Sequence, residues 1–152
     1  MTRIWLALEG TMPIQWKTDF ALGIPDLDAQ HLELDGLLAV VHDAICEGRV
    51  PDISAVLEGV RSCSSRHFAC EEAFMARSGY PGVEEHRARH EAFTAQLARF
   101  EEARASKGAS MPLAMEIGNW LVGWVRDHHR YDLRLAAHAR QTGRNDAGGK
   151  AP

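Results

Sequence analysis

Apolar residues recur every three or four positions through most of this chain, in four blocks separated by glycine and proline. That spacing marks amphipathic helices. The first block carries Leu27, His31, Leu34, Leu38, Val41 and Ile45 on one face and predicts a helix from about Asp26 to Glu47, stopped by Gly48. The second carries Ile53, Val56, Val60, His67, Glu71 and Phe74, with Ser64 in one slot. It predicts a helix from near Pro51, a residue tolerated in a first turn, to about Ser78 before Gly79. The third begins after Pro81-Gly82, runs to about Ser106 and aligns Val83, His86, His90, Phe93, Leu97 and Phe100. In the fourth, Ser110 is a fitting N-cap with Pro112 in the first turn, and the stripe is Ile117, Trp120, Leu121, Trp124, His128, Tyr131, Asp132 and Leu135.

Sustained alternation of apolar and polar residues, the mark of strands, is nearly absent. Four long amphipathic segments with short links predict an all-α fold, an antiparallel up-down four-helix bundle preceded by an N-terminal arm. The expected organisation is an extension over residues 1–11, the bundle over 12–141 and a flexible tail over 142–152.

Composition narrows the class without changing the fold. A chain of 152 residues, 45% hydrophobic and 25% charged, suits one soluble globular domain. The net charge of −4, with basic residues spread among acidic ones, argues against a nucleic-acid partner. No run of apolar residues is long enough to cross a membrane, and MTRIWLALEG lacks the length and small-residue cleavage site of a secretory signal. Cys46, Cys63 and Cys70 are odd in number, and Cys63 and Cys70 lie too far apart along one helix to bridge. A reducing cytoplasm is the expected location.

The unusual feature is where the histidines fall. Each predicted helix places at least one inside its apolar stripe: His31, His67, His86 with His90, and His128. A core imidazole is costly unless both ring nitrogens find partners. One such residue is ordinarily a hydrogen-bonded core histidine, but five on converging faces compound the desolvation cost. A metal relieves it, because each neutral ring gives a lone pair to the ion and a hydrogen to a neighbour behind it.

Residues four apart share a helical face. His67 with Glu71, His86 with His90, and His128 with Asp132 therefore each present two ligand atoms at one level, and His31 makes seven candidates. The hard turn Ser78-Gly79-Tyr80-Pro81-Gly82 reverses the chain so that two of these pairs face each other. Five nitrogens and two carboxylates exceed the needs of one ion and suit two ions bridged by carboxylates. The mixture favours iron, manganese, zinc or copper over magnesium or calcium. A shell rich in histidine favours a reduced pair and reversible chemistry over high-valent oxidation.

These residues resemble the bacterial hemerythrin-like domain. His67-Phe68-x-x-Glu71-Glu72-x-x-Met75, Gly79-Tyr80-Pro81 and His86-x-x-x-His90 look like its central signature. Trp16, Gly23-Ile24 and Asp26-Leu27-Asp28-x-Gln30-His31 look like its first segment, and Trp124-x-x-x-His128 matches its fourth helix. The likeness spans roughly residues 12 to 135. It implies two non-haem irons bridged by an oxo or hydroxo group and by Glu71 and Asp132. His86, His90 and His128 would fill one iron, and His31 and His67 would hold the other with a position open for dioxygen. The implied function is reversible dioxygen binding for carriage, storage, delivery to an oxygen-using enzyme, or sensing through a separate signalling partner.

One departure stands out. The family usually places its bridging aspartate five residues after the histidine, where this chain has Leu133, whereas Asp132 lies four after His128. A regular helix aligns that spacing better, so either the helix winds differently here or the bridge is altered. Asp35, four after His31, is a second candidate, expected to face solvent or stand behind the ligands. An altered bridge would open a further coordination position and favour an alternative, a diiron enzyme acting on nitric oxide or peroxide. A bundle with a degenerate site serving as a scaffold is a third reading. Outside the seven candidates, His42 is expected to be a surface or capping residue, His129 to point sideways, and His138 to favour the C-terminal end of its helix dipole. Cys63 and Cys70 are expected as core fillers, and Trp120, Trp124, Phe68, Phe74 and Phe93 as packing that walls the pocket.

Overall fold

The computed structural model describes residues 21–143. Most of the expected arm, including Pro13 and Trp16, the extension at 1–11 and nearly all of the expected tail lie outside them. Four helices follow in order: α1 Pro25–Cys46, α2 Ile53–Ser78, α3 Val83–Lys107 and α4 Met111–Gln141, and no strand occurs among the described residues. Each packs against its sequence neighbours and α1 closes against α4, which makes the four-helix bundle. Across the diagonal, α2 and α4 also approach one another. No helix among the described residues is long and apolar enough to cross a membrane.

Local chemistry sets the helix ends. Asp28, in the first turn of α1, accepts from the Leu22 and Gly23 amides at 2.7 and 3.1 Å, tying the preceding chain to the helix. Helix α2 starts two residues later than the prediction from Pro51. The Asp52 carboxylate accepts from the Ala55 amide at 3.1 Å, which makes Asp52 the N-cap and leaves Pro51 outside the helix. At the other end Gly79 adopts φ 65°, a left-handed C-cap that lets the Tyr80 amide return to the Met75 carbonyl at 3.0 Å. Ser110 caps α4 through the Leu113 amide at 3.3 Å.

The buried stripes meet in three layers. One apolar cluster gathers Leu34, Leu38, Val60, Phe93, Leu97, Leu121 and their neighbours; a second gathers Leu22, Ile24, Leu27, Phe74, Met75 and Leu135. Between these two clusters fall His31 (Leu27 and Leu34), Glu71 (Phe68 and Phe74), His86 and His90 (Val83 and Phe93), and His128 and Asp132 (Val125 and Leu135). The polar layer is therefore closed at top and bottom by hydrocarbon. That placement positions the site.

Candidate metal centre

The α-helical repeat delivers the polar layer. On α2, His67 and Glu71 stand one turn apart; on α3, His86 and His90; on α4, His128 and Asp132; and α1 adds His31. All seven side chains are buried. The structure brings every one of them to a single cluster.

Glu71 is its hub. Its Oε2 lies 3.0 Å from His90 Nε2, 3.2 Å from His128 Nε2, 3.3 Å from His86 Nε2 and 3.4 Å from His67 Nε2. Asp132 completes the layer. Its Oδ1 lies 3.1 Å from His128 Nε2 and 3.4 Å from His86 Nε2, while its Oδ2 lies 3.2 Å from His31 Nε2. Each carboxylate thus touches imidazoles of two groups, His86, His90 and His128 on one side, His31 and His67 on the other. Two overlapping donor sets, Glu71 with His86, His90 and His128, and His67 with Glu71, His128 and Asp132, have all their ligand atoms within 4.8 Å of one another.

This donor set fits a metal on its own chemistry. Glu72 Oε1 lies 2.9 Å from His90 Nδ1; a carboxylate only accepts, so that nitrogen carries the hydrogen. With a metal in the layer, Nε2, which faces Glu71 Oε2, would be the atom left to give its lone pair to the ion. His67 is placed alike, with Nδ1 3.1 Å from Gln30 Oε1 and Nε2 toward Glu71. His86 and His128 set their Nε2 atoms 3.3 Å apart, both facing the same two carboxylates. Lone pairs converging on carboxylate oxygens repel unless protons or cations lie between them. Two ligands at right angles, each about 2.1 Å from one ion, stand about 3.0 Å apart, close to the separations found here.

Without a cation the layer must hold protons, and its acidities show the strain. His86 is pushed down by burial, yet its hydrogen bonds to Asp132 and Glu71 carry it up to about 9. Burial likewise opposes His31, and the bond to Asp132 raises it. His67, lowered by burial against the pull of Glu71, sits at about 4. Burial would raise Glu71, but His67 and the bonds from His128, His86 and His90 hold it well below the usual carboxylate range. One layer therefore combines a ring held neutral, a ring held charged and a carboxylate held ionised.

Aromatic rings wall the three-imidazole side. Phe68 stacks on His90 with centroids 3.9 Å apart, and Trp124 stacks on His128 at 4.1 Å. Phe93 packs behind both, 5.4 Å from Phe68 and 4.5 Å from Trp124. Trp120 stacks on Phe93 at 4.6 Å, whereas Phe74 belongs to the cluster on the other side of the layer.

The spacing question on α4 is resolved in space. The helix runs unbroken through both positions; Asp132 is buried in the layer, and Leu133 is 41% exposed. Asp35 is half-buried on α1 and belongs to neither donor set. Two expectations change. His42 is not a surface residue but only 5% exposed, because α1 buries a face wide enough to include it; its Nδ1 lies 3.3 Å from Asp43 Oδ1. His129 is also buried, its ring edge-on to His31 at 6.4 Å, since α4 meets α1 on the flank next to His128. His138 lies in the last turn of α4, as expected there, and its Nε2 also donates to the Ser78 carbonyl at 3.0 Å, at the last turn of α2. Cys63 fills the core as expected, and Cys70 is half-buried.

Gln30 and Glu72, the residues behind His67 and His90, received no role from the sequence. Each adjoins a site residue in the chain, Gln30 before His31 and Glu72 after Glu71. That adjacency was the available signal: the flanking position on a packed helix faces the next helix, where the neighbour's ligand stands.

The comparisons agree with this geometry. Residues 22–131 match the family model described as the hemerythrin HHE cation binding domain. The bacteriohemerythrin of Stenotrophomonas maltophilia is 29% identical over 136 residues, covering 88% of this chain and 89% of the relative. A bacteriohemerythrin of Pseudomonas aeruginosa is 30% identical over 117 residues, 77% of this chain and 74% of the relative. Hemerythrin subunit 1 of Golfingia vulgaris is 28% identical over 117 residues, 76% and 83% of the two chains. No solved structure matches the chain. With more than half of its length matched by that model, the chain belongs to the hemerythrin HHE cation binding domain family.

Proposed function

We propose that this protein binds dioxygen reversibly at a pair of non-haem iron ions. His86, His90 and His128 would hold one ion, His31 and His67 the other, and Glu71 and Asp132 would link the two. The observation that carries this reading is that both carboxylates lie against imidazoles of both groups. When bound there, two ferrous ions would supply the two electrons that dioxygen takes up and would recover them on its release.

The chain's own residues favour reversal over turnover. Neutral imidazoles outnumber carboxylates five to two in the layer, so little negative charge is available to stabilise highly oxidised iron. The group of two imidazoles has one fewer donor, which would leave a coordination position there for a small ligand. Phe68, Trp124 and Phe93 keep water from the other side and limit the protons that drive irreversible oxidation. The reading as a nitric oxide or peroxide enzyme drew on a displaced bridge, and Asp132 lies in the layer. Carriage, storage, or delivery to an oxygen-using enzyme or signalling partner all use the same chemistry. The three unpaired cysteines suit a reducing cytoplasm.

Anaerobic reconstitution with ferrous iron followed by dioxygen titration tests the proposal. Two irons per chain and a visible charge-transfer band that disappears on evacuation support it. Rapid oxidation that evacuation does not reverse counts against it. Reductant-driven turnover of nitric oxide or peroxide, lost in His31→Ala, would establish the enzyme instead.

A further inference from the structure

Behind the layer the two groups of imidazoles are supported unequally. His90 Nδ1 donates to Glu72 at 2.9 Å, and His67 Nδ1 donates to Gln30 at 3.1 Å. Both props reach across a helix interface, Glu72 from α2 to α3 and Gln30 from α1 to α2. Both place a hydrogen on Nδ1 and leave Nε2, the atom facing the layer, as the one that would hold an ion. They differ in charge: one is a carboxylate, the other a neutral amide of the same length.

A carboxylate accepting from the far side of a coordinated imidazole draws its proton outward and makes the ring a stronger donor. An amide oxygen does the same weakly. Two neighbours moderate the contrast. Arg87 Nε donates to Glu72 Oε2 at 3.2 Å and takes up part of its charge, and the Glu72 side chain is 33% exposed, so water screens it further. On the other side Asp28, which acts electrostatically on His31, directs both oxygens to the Leu22 and Gly23 amides.

We propose that Glu72 is a positioning residue that makes the three-imidazole half of the centre the more electron-rich one, with Gln30 leaving the two-imidazole half poorer. The inference rests on the diiron reading above and deepens it. An ion beside His90 would then be the easier of the two to oxidise, while one beside His31 and His67 would be the better acceptor for an incoming ligand. The neutral prop stands on the half with fewer imidazole donors.

Glu72→Gln keeps length and acceptor but removes charge, Gln30→Glu adds charge behind His67, and Arg87→Gln frees the charge already behind His90. Under saturating ferrous iron, the midpoint potential of Glu72→Gln is expected to rise. The size expected is a three- to tenfold loss of preference for oxidised over reduced iron, at most about 59 mV for one electron. Gln30→Glu and Arg87→Gln are expected to lower it. A purely structural role would leave Glu72→Gln at the wild-type potential with both irons bound, and that result overturns the inference.

A second readout needs no iron. In the metal-free protein, nitrogen–proton correlation spectra of the imidazoles should place a hydrogen on His90 Nδ1 whose signal is shifted downfield in the wild type and less so in Glu72→Gln. A bare His90 Nδ1 in the wild type overturns the inference even if iron binds. A protein that takes up no iron but shows this ring proton removes the diiron reading and keeps the positioning role of Glu72.

Discussion

His128 and Asp132 stand one turn apart on α4 and bring Nε2 and Oδ1 to 3.1 Å, while Leu133, next in the chain, is exposed. A carboxylate four residues after the histidine shares its helical face; one five residues after would be rotated toward the flank. Asp132→Ala is therefore expected to weaken iron binding by at least the roughly 10- to 100-fold typical of losing a mere support behind a ligand. Adding Leu133→Asp to that variant should not restore it. Iron counts after anaerobic reconstitution at limiting metal check both, and recovery to two irons in the double variant would mean that α4 winds differently from this structure.

Phe68 lies flat against His90 and edge-on to Phe93, so one ring both packs the core and dries the layer. Phe68→Ala should cost about 3–5 kcal/mol of stability. At about 2–4 °C per kcal/mol for a chain of this size, the melting midpoint falls by several degrees or more. The opened space should also admit water and speed oxidation of the ferrous protein in air. Phe68→Leu should recover most of the stability and less of the oxidation resistance, because a branched aliphatic does not cover the ring face. Equal oxidation rates in the three proteins would show that Phe68 only packs.

Most helix ends and the site layer were legible because both follow from short-range rules, the start of α2 at the Asp52 cap being the exception. Gly79 and Ser110 announce their caps, and His31, His67, Glu71, His86 and His90 sit at steps of three and four within apolar stripes. What escaped lies on the flanks. A bundle helix faces two neighbours and buries an arc wider than one stripe, so His42 and His129, one position beyond it, are buried as well. Gln30 and Glu72 adjoin site residues in the chain, and the position of the neighbouring helix shows that His67 and His90 stand against them. Asp132 was ambiguous because two spacings competed, one from helix geometry and one from family habit. Geometry places Asp132 in the layer.

Two glycines separate backbone need from mere tolerance. Gly79 holds φ 65° at the end of α2, where an L side chain is strained, and Gly79→Ala should lower stability by about 1 kcal/mol. Gly36 lies within α1 with open space where a Cβ would stand, so Gly36→Ala should raise stability by about 0.4–1 kcal/mol. Denaturant midpoints measured side by side decide it. Opposite signs are expected, and a loss at Gly36 would show that its face is occupied.

The metal-free layer should give the protein a peaked dependence of stability on pH. An unfolded histidine takes its proton near 6.5. His67 is held by burial at about 4, so between about 6.5 and 4 the unfolded chain binds more protons and stability falls as pH drops. Glu71, held well below its ordinary range by His67, His128, His86 and His90, extends that loss through the carboxylate range. His86 acts in the opposite sense. Burial works against its charge, but Asp132 and Glu71 raise it to about 9, so its contribution is complete below about 6.5 and is lost as pH rises toward 9. His31, raised by Asp132 against its burial, works in the same sense as His86. Thermal melts of chelator-treated protein from pH 4 to 9 should therefore peak near pH 6.5. His86→Gln should flatten the alkaline side without removing the acid one. Iron loading should replace these protons with metal and remove the alkaline decline, because a coordinated imidazole no longer titrates there. A metal-free profile that is level between pH 6.5 and 9 would mean that His86 does not carry its proton between the two carboxylates.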